Sequence, residues 1–133
     1  MTEPERVGGG PFDDEPAGLD GESAGSVALV EVPEGVVLAV TGPLDLAGAP
    51  KLRRTVERAA RLRPALLVID LTEVTFLASV GMAELVRANR DLRGTCSVHV
   101  VASGRLVLRP LELTRLTDEL AIHSTLADAL AAG

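Results

Sequence analysis

The stretch Phe76–Met82, FLASVGM, sets one hydroxyl, Ser79, in an otherwise apolar run, two residues before a glycine. A serine in that setting can act as a nucleophile, cap a helix, or accept a phosphoryl group. A nucleophile elbow needs the order GxSxG. Leu77-Ala78-Ser79-Val80-Gly81 supplies only the second glycine, and no His or carboxylate is placed by pattern to complete a triad. As a cap, the serine oxygen would satisfy an orphan helix N–H, for about 1 kcal/mol. As an acceptor, a phosphate at a helix N-terminus would face N–H groups and the positive end of the helix dipole. It would add about −1.5 to −2 charges to an apolar patch. Local sequence alone favours the cap and leaves the acceptor as the functional alternative.

Other chemistry is sparse. His99 and His123 lie far apart in the sequence, and each reads as a strand residue rather than a ligand. No Cys/His metal spacing occurs, no GxxxxGK[ST] loop is present and no helix opens with GxGxxG, so no metal or nucleotide cofactor is expected. The single Cys96 has no disulfide partner and reads as a small core residue in a strand.

The elements that must position Ser79 follow from periodicity. SVALVEV (26–32), the three-residue turn PEG and VVLAVT (36–41) read as a β-hairpin. Gly42-Pro43 reads as a break. A helix is expected between Asp45 and Arg63, with Leu52, Val56, Ala59 and Ala60 inward and Pro50 in its first turn. ALLVID (65–70) is a continuous apolar run, the mark of a strand buried on both faces. A second helix begins near Gly81, with Met82, Leu85, Val86 and Asn89 on one stripe and Gly94 beyond its end. CSVHVVA (96–102) is a strand. Ser103 is placed to cap a third helix, which Pro110 should kink or split. LAIHS (120–124) and TLADALAA complete the order ββαβαβαβα. That order implies an α/β domain with a mainly parallel run of strands and one antiparallel edge strand. Functional groups of such sheets gather outside the carboxyl ends of the strands, where both Asp45 and Ser79 fall.

Charge is unevenly placed. The net charge is −6, with 19 acidic and 13 basic residues. Residues 1–24 hold Glu3, Glu5, Asp13, Asp14, Glu15, Asp20 and Glu22 against Arg6 alone. With those set aside, twelve acids face twelve bases, and residues 25–133 are neutral by formal count. The leading segment, with GGGPF and DDEPAG, has little to bury and is expected to be a disordered acidic tail on a single domain, 25–133. No apolar run approaches the roughly 18 residues that span a bilayer. The acidic, glycine-rich start fits neither a signal nor a transit peptide, so the cytoplasm is the default.

Taken in order, three segments resemble the STAS domain of bacterial anti-sigma-factor antagonists. LAVTGPLDLAGAPKL (38–52) resembles the family's strand-to-first-helix segment. LLVIDLTEVTFLASVGMAELV (66–86) resembles its signature segment, where an Asp-Ser-Ser/Thr-Gly-Leu run opens the second helix. LELTRLTDELAIHSTLADAL resembles the family's ending. The resemblance implies a non-enzymatic binder of a partner that is both anti-sigma factor and serine kinase, releasing a sigma factor. It implies no direct contact with nucleic acid and no membrane insertion. The phosphorylated serine of the family falls on Ser79, its glycine on Gly81, the following hydrophobic residue on Met82, and its strand-end Asp on Asp70. The first-motif Asp falls on Asp45, beside the phosphorylation site in that family. Ala78 stands where the signature has Asp, and Val80 where it has Ser or Thr. The partner-binding residues implied are therefore Asp45, Ala78, Ser79, Val80, Gly81 and Met82. The loss of the acidic neighbour keeps a second reading in view, a regulatory subunit of a membrane transporter or larger assembly without a phosphoswitch.

Overall fold

The structure is a computed structural model describing residues 25–133. The acidic segment 1–24, and with it the expectation of disorder, lies outside the described residues. Strands β1 (Ser26–Val32) and β2 (Gly35–Leu44) form the antiparallel hairpin. Its turn is the pair Pro33-Glu34, because Gly35 joins the ladder opposite Val32. Helix α1 (Gly48–Arg61) leads to β3 (Leu66–Leu77), followed by α2 (Ser79–Asp91) and β4 (Ser97–Val101). Helix α3 (Gly104–Leu113), one 3₁₀ turn (Leu116–Asp118), β5 (Ala121–His123) and α4 (Leu126–Ala132) complete the fold. The five strands lie in chain order, β1 antiparallel to β2 and the rest parallel.

The apolar run of β3 is buried on both faces from Leu66 to Ile69, as its composition demands. On one face Leu38, Leu67, Ile69 and Val100 meet Leu52 of α1, Leu85 of α2 and Leu111 of α3. On the other, Val37, Leu66, Val68 and Val101 pack against Ala129 of α4. Removing large apolar side chains from water supplies the main drive, about 25 cal/mol per Å² buried.

Two strands are longer than the sequence suggests, and this shapes the functional edge. Beyond Asp70, β3 continues to Leu77 by pairing with the end of β2, through Thr41 with Glu73, Pro43 with Phe76 and Leu44 with Leu77. Register shifts flank Gly42, and Thr72, Glu73 and Thr75 face solvent, so no clean alternation marks this extension. Gly42-Pro43 is not a break. Past Thr41 the strand has β3 on one side only, so the missing N–H of Pro43 removes no ladder bond on the β1 side.

Helix α3 runs through Pro110 to Leu113 without splitting. The carbonyl that Pro110 leaves without its usual partner belongs to exposed Leu106, where water can take its place. Ser103 precedes α3 but makes no capping bond, whereas the Thr125 hydroxyl accepts from the Asp128 N–H at 3.1 Å and caps α4. Cys96 lies just before β4, half-buried, and burial pushes its thiol pKa up.

Candidate functional site

The carboxyl ends of β2 and β3 bring two loops together. The Ala78 N–H donates to the Leu44 carbonyl at 3.1 Å. Three residues on, Gly81 passes so close that a Cβ there would lie 2.6 Å from the Leu44 oxygen and 2.7 Å from its Cγ. Only a residue without a side chain fits that approach. The Asp45–Ala47 loop is thereby held against the start of α2.

Asp45 works locally. Its Oδ1 accepts from the N–H groups of Ala47 and Gly48, each at 3.2 Å, and its carbonyl accepts from Ala49 at 2.8 Å. It closes the turn that opens α1, at the edge where Ser79 also sits. Asp70 does not reach that edge. Its Oδ1 accepts from the N–H of Thr72 at 3.0 Å, within β3.

Ser79 is the first residue of α2, not its cap, and the helix starts two residues before Gly81. Ala78 holds the capping position in extended conformation and has no side-chain oxygen to offer, and the first turn contains no acid. The opening N–H groups of α2 therefore have neither intrahelical nor side-chain partners. The Ser79 side chain is exposed. At the same end of the sheet, apolar side chains of the β2–α1 loop, the end of β3 and the start of α2 face water: Leu46 at 78% exposure, Phe76 at 57% and Val80 at 36%. Half-buried Met82 lines a groove of about 600 Å³ that runs from Ser79 along α2, past Val86, Arg87 and Arg90, with Thr114 and Leu116 opposite.

The structure thus brings Asp45, Ala78, Ser79, Val80, Gly81 and Met82 to one edge and adds Leu46 and Phe76, which sequence reasoning passed over. No local signal marks those two, because apolar residues in a loop and near a strand end look like core. The inward stripe of α2 is also rotated from the expected one. It comprises Gly81, Glu84, Leu85 and Ala88, with Val86 and Asn89 only half-buried. Glu84 is 5% exposed, and its Oε2 accepts from Arg53 of α1 at 3.2 Å (Nε) and 2.6 Å (Nη2). Arg87 approaches Oε1 at 3.5 Å. The hydrogen bond and charge of Glu84 raise the Arg53 pKa above its ordinary value.

His99 and His123, distant in sequence, meet at 2.9 Å from Nδ1 to Nε2 across β4 and β5. Burial, and then the charge of His123, lower the His99 pKa. Among the described residues no three or more His, Cys, Asp or Glu side chains gather as a metal site.

The STAS domain family matches residues 26–129. The chain belongs to the STAS family. It is 36% identical over 94 residues to the anti-sigma-F factor antagonist RsfB of Mycobacterium tuberculosis, strain CDC 1551, covering 71% of this chain and 77% of that one. A solved anti-sigma factor antagonist from Mycobacterium paratuberculosis superposes with a TM-score of 0.79 at 32% identity, over 84% of this chain and 96% of that chain. A sulfate transporter family protein from Wolinella succinogenes shares the fold at a TM-score of 0.66 and 14% identity, over 77% of this chain and 87% of that chain. The five-stranded mixed sheet with four α-helices is the STAS arrangement, and Ser79 opens its second helix. No helix among the described residues is long and apolar enough to cross a membrane.

Proposed function

We propose that this STAS domain is an anti-sigma-factor antagonist. Its unmodified Ser79 edge binds an anti-sigma factor that is also a serine kinase, and phosphorylation of Ser79 weakens the complex. The observation that carries this reading is an exposed hydroxyl, on an uncapped helix start, at the end of the sheet where Leu46, Phe76 and Val80 face water. Exposed apolar side chains suit a protein partner, which would remove them from water. A phosphate there would find the free N–H groups of α2, so the domain keeps its fold. The same double charge would lie desolvated in the interface and oppose binding. ATP belongs to the kinase, and the domain is substrate and binder rather than enzyme, acting in the cytoplasm. Relatives named as antagonists at 36% and 32% identity support the reading.

The test compares affinity for the anti-sigma partner across wild type, Ser79→Ala and Ser79→Asp. Ser79→Ala should bind as wild type and take no phosphate, while Ser79→Asp should bind at least about tenfold more weakly, a loss of about 1.4 kcal/mol. Equal affinities for the two variants, with no phosphate on the wild type, would sink the switch. Ala78, in place of the family's Asp, favours the second reading of a transporter or assembly subunit. A pull-down that returns a transporter in place of a small kinase would establish it.

A further inference from the structure

We propose that the outer face of α1 is a docking surface for an acidic peptide segment, and that its occupant is this chain's own residues 1–24. Helix α1 turns Leu52, Thr55, Val56 and Ala59 inward. Arg53, Arg54, Arg58 and Arg61 are exposed on the remaining faces, with Glu57 the single acid among them. Of the twelve bases in residues 25–133, six fall between Lys51 and Arg63, against one of the twelve acids. Elsewhere in that range eleven acids outnumber six bases. The helix is a basic stripe on an acidic protein.

The acidic segment enters the fold beside that stripe. The Gly25 carbonyl accepts from the Lys51 ammonium at 2.8 Å, in the first turn of α1. A Cβ on Gly25 would lie 2.7 Å from the Thr41 carbonyl oxygen, so the entry point is closely packed. Fourteen residues of α1 span about 21 Å. Seven extended residues cover about 23 Å, and Asp13-Asp14-Glu15 lie ten to twelve residues before Gly25, with Asp20 and Glu22 between. The chain length thus suffices for the acids to reach Arg54, Arg58 and Arg61, while Arg53 is already engaged by Glu84. A nucleic acid or an anionic membrane offers the same charge, but a chain of net charge −6 repels both, while a tethered segment acts at an effective concentration of about millimolar. The docking does not depend on the antagonist reading.

Paramagnetic NMR on the full chain tests it without any partner. In a Cys96→Ser background, Ala17→Cys carries a nitroxide, and the amide signals of Arg53 to Arg61 are followed. At low salt these signals should lose intensity. They should recover at about 1 M NaCl, where charges are screened beyond about 3 Å. Arg54→Glu/Arg58→Glu/Arg61→Glu should abolish the loss, since these exposed side chains can be reversed without disturbing the core. Asp13→Asn/Asp14→Asn/Glu15→Gln should at least halve it. Signals equally sharp at both salt concentrations would overturn the docking. So would broadening that arises only when a nitroxide-bearing chain is mixed with an isotope-labelled one, which places the segment on a second copy. Binding of duplex DNA or phosphatidylglycerol vesicles through these arginines at physiological salt would reassign the face to an external polyanion.

Discussion

Ser79 and Gly81 have opposite relations to the fold, although they stand two residues apart. The Ser79 side chain is exposed and caps nothing, so Ser79→Ala should change stability by less than about 0.5 kcal/mol. Ser79→Asp places a carboxylate on the uncapped helix start and should stabilise by about 0.3–1 kcal/mol. Calorimetry of the three forms reads both changes, and a loss above 1 kcal/mol for the Ala form would restore the capping role. Gly81→Ala pushes a Cβ into the Leu44 carbonyl, a backbone atom fixed by the β2–β3 ladder. It should cost about 1–3 kcal/mol, seen as a lower urea midpoint. Both residues were legible in FLASVGM. Leu46 and Phe76 were not, because a sequence gives hydrophobicity and only the neighbours decide whether it is covered.

At the scale of elements, one ion pair ties α1 to α2 and one imidazole pair ties β4 to β5. Arg53 is half-exposed, while Glu84 is almost fully enclosed. Removing the arginine leaves a buried carboxylate with only Arg87 near it, whereas removing the glutamate releases the arginine to water. Arg53→Met should therefore lower Tm more than the double variant Arg53→Met/Glu84→Leu does. Thermal melts of the single and double variants decide it, and a double variant less stable than the single would refute the account. For the histidines, the folded-state pKa of His99 lies below its ordinary 6.5. The unfolded chain thus binds more protons in that window, and stability is full above about pH 6.5 and falls as pH drops toward the folded value. His99→Gln should flatten the urea midpoint between pH 7 and the onset of general acid unfolding near pH 5. An unchanged slope would show that the pair is uncoupled from folding. Neither tie had a local signature, since partners 31 and 24 residues apart meet only through packing and register.

For the whole molecule, the sequence offers few aromatic anchors, with no Trp or Tyr and only two Phe. Among the described residues Phe76 is the one Phe and is 57% exposed, so the described interior rests on Leu, Val, Ile and Ala. Leu67 is fully buried at the centre of β3. Leu67→Ala should cost about 2–5 kcal/mol, because the sheet and its covering helices close a cavity only in part. Urea unfolding with an unchanged m-value and a reduced midpoint is the expected result. A cost under 1 kcal/mol would mean that the core rearranges freely.

The element order, the doubly buried centre of β3 and the placing of Ser79 at the junction of β3 and α2 were determined by the sequence. Each rests on periodicity and chain order, which are local quantities. The tertiary structure alone decided that β2 and β3 run on past Gly42-Pro43 and Asp70, because the ladder between them supplies what propensity withholds. It also decided that Ala78, not Ser79, holds the cap position, that Glu84 turns inward to Arg53, and that Leu46 and Phe76 stay in water. Those outcomes depend on which surfaces remain after the helices have packed, and packing joins residues that no window along the chain contains together.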